Sequence, residues 1–419
     1  MLKSRSLSSS IAFRRISCGL TKGAFVLALL FISAALFPQD LSYNVRVLNI
    51  AVPVRVFQGD RFVDNLTLQD FEVYEDGEPQ KIEAVYLIKK TNLERKEEIT
   101  TFKPETSRSF YLFFSLYEPN PQVSKALAYF FQNVITPEDH LLVISPRAVY
   151  DLKKEIAGKV PAEKIVAELN KKLRKDILAG NSAYLSVLAD LKRMVGAGSN
   201  LETDTAEMSE EARLGMFGTG TIEEYLMRYR ADVNQLEQLR TIDEEKFLDF
   251  ARALKKTEGQ KIVFYFYQKE FVPLLDAKTI GKYFENPFVQ SLITELSDIL
   301  NQKSSLDMDR LKKTFADSSI NVHFLYLTKN PADMALTQIG ERQDIFSTFD
   351  EIAKATGGLT ARSANADYLM RQAAAAAENY YLLYYSPKDK KQDGRFRQIR
   401  VEIKTGSYRI SHLSGYFAN

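Results

Sequence analysis

Five short runs of nearly unbroken apolar residues constrain this chain more than anything else in it: Phe110–Leu116 (FYLFFSL), Leu141–Ser145 (LLVIS), Ile262–Tyr267 (IVFYFY), Val322–Leu327 (VHFLYL) and Tyr380–Tyr385 (YYLLYY). A strand with no polar alternation must be covered on both faces. The runs are separated by helical patterns, beginning with one over Gln122–Ile135. Buried strands alternating with helices predict a mainly parallel sheet with helices on both faces, a Rossmann-like α/β arrangement.

The flanks read differently. Tyr43–Phe57 alternates apolar and polar residues, Phe71–Glu75 follows, Glu75-Asp76-Gly77-Glu78-Pro79 signals a turn, and Lys81–Ile88 alternates again. This predicts a small N-terminal β module over 43–88. Lys89–Arg108, with seven charges between Lys89 and Glu98, reads as a polar linker. At the other end Phe396–Lys404 and Tyr408–His412, joined by Thr405-Gly406, predict C-terminal antiparallel strands within 387–419. Between Leu152 and Gln260 only helical patterning is visible, interrupted by the Gly/Ser/Thr-rich Gly196–Gly220, so a helical insertion is expected over 160–257 of a 109–386 α/β domain.

The first 35 residues hold five basic residues (Lys3, Arg5, Arg14, Arg15, Lys22) and no acidic one, followed by the uncharged run Gly23–Phe37. As a helix, these 15 residues reach only about 22 Å, against the roughly 30 Å of a bilayer core. Residues 1–37 are therefore read as an export signal, with Ser33 and Ala35 as its small cleavage-site residues. The protein is expected in the periplasm or outside the cell; an uncleaved N-terminus would be its one membrane attachment. The only cysteine, Cys18, lies in the same stretch, so a processed chain has no disulfide, thiolate nucleophile or cysteine-bound zinc. Without that stretch 51 basic residues face 54 acidic ones, a near-neutral balance that gives no footprint for nucleic acid.

Three segments resemble a family of exported bacterial proteins with a von Willebrand factor A-related domain. They are Val52-Pro53-Val54-Arg55-Val56 leading into Leu68–Ile82; Ala355-Thr356-Gly357-Gly358; and Tyr380–Pro387 with Asp393-Gly394-Arg395-Phe396-Arg397 and Gly415-Tyr416-Phe417. The resemblance implies a von Willebrand factor A-like sheet and, in the family, a metal-ion-dependent adhesion site. That site uses Asp-x-Ser-x-Ser after the first strand, a Thr on a second loop and an Asp after a later strand, hard oxygen ligands suited to Mg²⁺. Here the first motif falls on Ser115, Tyr117 and Pro119, the later strand ends in Tyr267-Gln268-Lys269, and only Ser182 in Gly180-Asn181-Ser182-Ala183 stands for the threonine. Tyr and Pro cannot replace compact hydroxyls, and Lys269 repels a cation. The metal site is expected to be lost, and Glu118 is read as a solvated loop residue.

Catalytic signals are weak. There is no Gly-x-Ser-x-Gly, P-loop or His-Glu-x-x-His. His140, His323 and His412 read as packing residues, and Asp307-Met308-Asp309 lacks the glycine and final glutamate of a calcium loop. Strand tyrosines such as Tyr265, Tyr267, Tyr384 and Tyr385 are expected to line covered faces of the sheet. The sequence thus predicts a non-catalytic, metal-independent binding or scaffold protein of the cell envelope, with no cofactor. Its protein partner is expected on the loops bearing Ser115, Tyr117, Glu118, Asn120, Asn181, Ser182, Gln268 and Lys269. An exported hydrolase with an unfamiliar site and a purely structural envelope component are the alternatives.

Overall fold

The first apolar run becomes the strand from which the central sheet grows. The computed structural model describes residues 14–15, 49–152, 159–199, 222–268, 272–275, 285–301, 306–328, 343–389 and 391–419. Most of the expected export signal, most of Gly196–Gly220, and Lys269 lie outside the described residues. The central sheet has seven strands, in the order β1 (Arg14–Arg15), β10 (Val149–Leu152), β9 (His140–Ile144), β8 (Arg108–Ser115), β11 (Gln260–Gln268), β12 (Ile320–Leu327) and β13 (Thr360–Ser363). From β9 to β13 every neighbour pair is parallel, with Phe110 beside Leu141, Leu112 beside Phe264, Phe264 beside His323, and Phe324 beside Thr360. β10 turns back antiparallel onto β9, and β1 pairs antiparallel with the outer edge of β10. Setting β1 aside, order of appearance reads 3-2-1-4-5-6 across the sheet, the doubly wound order.

Both faces are covered, as the apolar runs require. Phe110, Leu112, Phe114, Phe264 and Phe266 pack against α1 (Gln122–Tyr129), α2 (Ala162–Gly180) and α9 (Ala366–Glu378). Tyr111, Val263, Tyr265, Tyr267 and Phe324 face α5 (Glu244–Lys255), α7 (Met308–Asp317) and α8 (Gln343–Ala355). Tyr265 and Tyr267 are buried, as expected for tyrosines on a covered face. Asp307 is the N-cap of α7, accepting the Arg310 N–H at 2.9 Å, which explains the Asp-x-Asp without a metal.

The fifth apolar run departs from expectation. Tyr380–Tyr385 lies in β14 (Asn379–Tyr385), which leaves the parallel sheet and pairs antiparallel with β2 (Ile50–Gln58) and β6 (Ile82–Lys89). Its sheet runs β16 (Arg409–His412), β2, β14, β6 and β7 (Asn92–Glu98), with β3 (Arg61–Phe62) against β2. A second sheet runs β17 (Gly415–Phe417), β15 (Phe396–Ile403), β4 (Phe71–Glu75) and β5 (Glu78–Gln80). Val52, Val54, Val56, Tyr381 and Leu383 meet Phe71, Val73, Ile399 and Val401 between them, forming a sandwich of N- and C-terminal strands. β14 lacks alternation because Tyr381, Leu383 and Tyr385 face the sandwich core while Tyr380 and Leu382 are buried on the other side. The outermost parallel position goes instead to the short β13.

Two further expectations change. Most of the charged run in Lys89–Glu98 is not linker but β7, whose charges line an edge strand and discourage further pairing. The expected C-terminal hairpin is split: β15 pairs with β4, and β16 with β2. The Thr356-Gly357-Gly358 turn joins the two halves. Gly357 has φ of +69°, with the His412 backbone 3.0 Å from where a Cβ would sit, and a Cβ on Gly358 would lie 1.8 Å from the Val322 carbonyl.

Candidate functional site

β8 and β11 lie side by side where the winding of the sheet reverses, and their carboxyl ends open a crevice there. β8 ends at Ser115 and runs through a loop into α1; β11 ends at Gln268. The Gln268 side chain is buried beneath that loop. Its Oε1 accepts the backbone N–H of Tyr117 at 3.0 Å and of Glu118 at 3.1 Å, and its Nε2 donates to Glu118 Oε1 at 3.1 Å. Asn181, between α2 and α3 (Ser182–Ser199), donates from Nδ2 to the Leu116 and Ile177 carbonyls, both at 2.8 Å. The Tyr117 ring packs on Tyr184 of α3, with centroids 4.4 Å apart.

Five of the predicted site residues therefore share one neighbourhood. Tyr117, Glu118 and Gln268 form one network, Asn181 ties the same loop to α2, and Ser115 lines the adjoining cleft. Asn120 has a local task, accepting the Gln122 N–H at 2.8 Å where α1 starts. Ser182 is exposed and, among the described residues, makes only a 3.5 Å contact with the Ala179 carbonyl. Glu118 is not the solvated loop residue expected, because Gln268 holds it half-buried. The later strand ends in an amide, which presents one oxygen to two N–H groups and one nitrogen to a carboxylate. This arrangement ties the loop after β8 to the end of β11. Among the described residues no group of three His, Cys, Asp or Glu converges.

Beside this crosslink lies a cleft of about 460 Å³, between the ends of β8, β9 and β11 and the connection from α4 (Ile222–Leu239) to α5. Phe113, Phe247, Phe250 and Tyr265 supply an aromatic lining, and Asp243 and Lys246 stand on the rim. Asp243 caps α5 and pairs with Lys246 at 2.8 Å; hydrogen bonds from Lys246 hold its carboxyl below the usual carboxylate range. Buried Arg240 pairs with Glu237 at the end of α4. Of these residues only Tyr265 was singled out from sequence, as a strand tyrosine on a covered face. The acids after Asp243 mark a helix start, but nothing local says that this helix borders the β8 loop.

A separate core of α3, α4 and α6 (Pro287–Asn301) with Val272 and Leu275 covers one side of the site, and Tyr117 packs against it. The expected insertion over 160–257 is thus divided. α2 and α5 pack on the sheet, while α3 and α4 join α6 from beyond the predicted boundary. The histidines are structurally engaged: His140 with Asp151 at 3.2 Å, His323 with Asn321 at 2.6 Å, and His412 with the Leu413 carbonyl at 2.8 Å. Among the described residues no helix is long and apolar enough to cross a membrane.

No protein-family model and no curated protein matches the chain. Among solved structures it is similar to the human COPII-coat protein Sec24c, at 9% identity and a TM-score of 0.29, over 75% of this chain. The match spans 44% of that protein's length and is too distant to inform fold or function.

Proposed function

We propose that this chain is a non-catalytic binding protein of the cell envelope, built on a von Willebrand factor A-like domain whose metal has been replaced by a hydrogen-bonded crosslink. The Gln268 carboxamide carries this reading: it bonds to Tyr117 and Glu118 where the family's loops would meet a cation. The strand order, with its antiparallel third strand, agrees with that domain type. Export rests on the basic-then-apolar N-terminus.

The partner enters the cleft beside the crosslink. Its aromatic lining and charged rim suit an apolar side chain flanked by polar groups, and its volume of about 460 Å³ accommodates a short protruding segment. Affinity then comes from burial and hydrogen bonds. Capture of an envelope protein by immobilised chain tests this. Capture should persist in chelator and be lost in Thr241→Trp, a change on the exposed rim that fills the cleft. Binding abolished by chelator and restored by Mg²⁺ would overturn the reading.

A further inference from the structure

Arg55 is a buried cation at the seam between the sandwich and the α/β body. It sits in mid-strand on β2, paired through its backbone with Ser411, between Val54 and Val56, which point into the sandwich core. Its own side chain points the other way and is only 2% exposed. The guanidinium carbon lies 5.6 Å from the centroid of the Tyr380 ring. Among the described residues Nε and Nη2 meet no acceptor, and the buried Tyr380 hydroxyl meets no partner either. Among the described residues Arg55 makes no ion pair, whereas the other deeply buried arginine of this region, Arg108, has Asp139 at 2.6 Å.

His323 completes the seam. It is fully buried and close enough for the Arg55 charge to depress its protonation further. Asn321 Nδ2 donates to the Thr356 carbonyl at 3.0 Å, so Asn321 Oδ1 is the atom facing His323 Nε2 at 2.6 Å. Nε2 therefore carries the proton, and Nδ1 presents a lone pair that meets no donor among the described residues. Burial lowers the Arg55 pKa only to about 10, so the group remains charged at neutral pH. A buried charge is tolerated when it is paired and hydrogen-bonded.

We propose that this seam binds a small monovalent anion of halide size, held by Arg55 Nε–H and Nη2–H with the Tyr380 hydroxyl as a third donor. One positive charge, with three buried donor groups that meet no acceptor among the described residues, matches one negative charge. Arg55, Tyr380 and His323 are all nearly inaccessible, so the ligand is fully enclosed and the smallest anions fit best. His323 Nδ1 cannot donate to the anion and accepts from a water beside it. The anion neutralises the cation between the two halves and so contributes to their docking.

Two measurements test this on the full chain. Thermal unfolding is followed at constant ionic strength while sodium gluconate is replaced by sodium chloride or bromide. The midpoint should rise saturably by several degrees, and Arg55→Met should abolish the halide dependence. Crystals grown in sodium bromide should give an anomalous peak within hydrogen-bonding distance of Arg55 Nη2. A water without anomalous signal at that place, or an equal halide effect in Arg55→Met, overturns the proposal. If Arg55→Met does not fold, the bromide peak decides alone.

Discussion

Gln268 and Glu118 hold each other in both directions: Gln268 Oε1 accepts the Glu118 backbone N–H, and Gln268 Nε2 donates to the Glu118 carboxylate, each at 3.1 Å. The two residues lie 150 positions apart, so this reciprocal pair is a tertiary tie that closes the end of the sheet. Gln268→Leu removes the side-chain acceptor of two N–H groups and a donor to the Glu118 carboxylate, so a loss of about 1–3 kcal/mol is expected in urea unfolding. Gln268→Glu keeps the acceptor but sets two carboxylates face to face. Adding Glu118→Gln restores a donor and should recover part of the loss, giving a favourable coupling in the double-mutant cycle. Additive effects would show that the reciprocal bond contributes nothing.

With the β8 loop tied to the end of β11 by an amide, the fold should stand without divalent cation. A metal bound only by the folded state raises stability by mass action. Here Ser115 and Ser182 offer neutral oxygens, and Mg²⁺ gives up its waters reluctantly. Chelator should leave the melting temperature unchanged, and millimolar Mg²⁺, Ca²⁺ or Mn²⁺ should not raise it. A saturable rise abolished by Ser182→Ala would restore a metal-dependent site.

How much of this was legible follows from where the information lies. β11 and β12 were readable because every residue from Ile262 to Tyr267 and from Val322 to Leu327 is buried, a pattern local to the run. The same pattern misplaced Tyr380–Tyr385, since burial on both faces belongs equally to a central antiparallel strand covered on each side. Charge concealed β7, because an edge strand and a linker both expose charged residues. At the site, Tyr117 and Gln268 were found through motif positions, but their bond is a tertiary fact. Tyr184, Asp243 and Lys246 reach the site only through helix packing, which no short-range spacing encodes.

The bidentate pair of Arg108 and Asp139 anchors the other end of β8. Asp139 accepts from Arg108 Nε at 3.0 Å and Nη2 at 2.6 Å and also caps the Thr136 N–H at 2.7 Å, with both side chains buried. Asp139→Ala strands the arginine without a counter-charge and should cost about 3–5 kcal/mol. A loss under about 1 kcal/mol in urea unfolding would mean that water reaches Arg108 and the pair is worth no more than a surface one.

Acid stability should carry the signature of buried His323 and half-buried His412. Burial pushes His323 well below its ordinary value of 6.5, assisted by the Arg55 charge. Burial also lowers His412, against the opposing bond from its Nδ1–H to the Leu413 carbonyl. Both are thus neutral in the folded state at pH values where the unfolded chain binds protons. The unfolded state then holds more protons, so stability is present above pH 6.5 and lost as pH falls below it. Each histidine adds a slope of up to about 1.4 kcal/mol per pH unit between its unfolded and folded pKa values. The lowered carboxylates, including Asp70, Asp393 and Glu98, act only at lower pH, because their ordinary values are 3.8 for aspartate and 4.5 for glutamate. Urea unfolding between about pH 6.5 and 5 therefore isolates the histidines. His323→Gln, which retains an amide donor toward Asn321, should flatten the slope by about one proton. An unchanged slope in that variant would show that His323 is protonated in the fold.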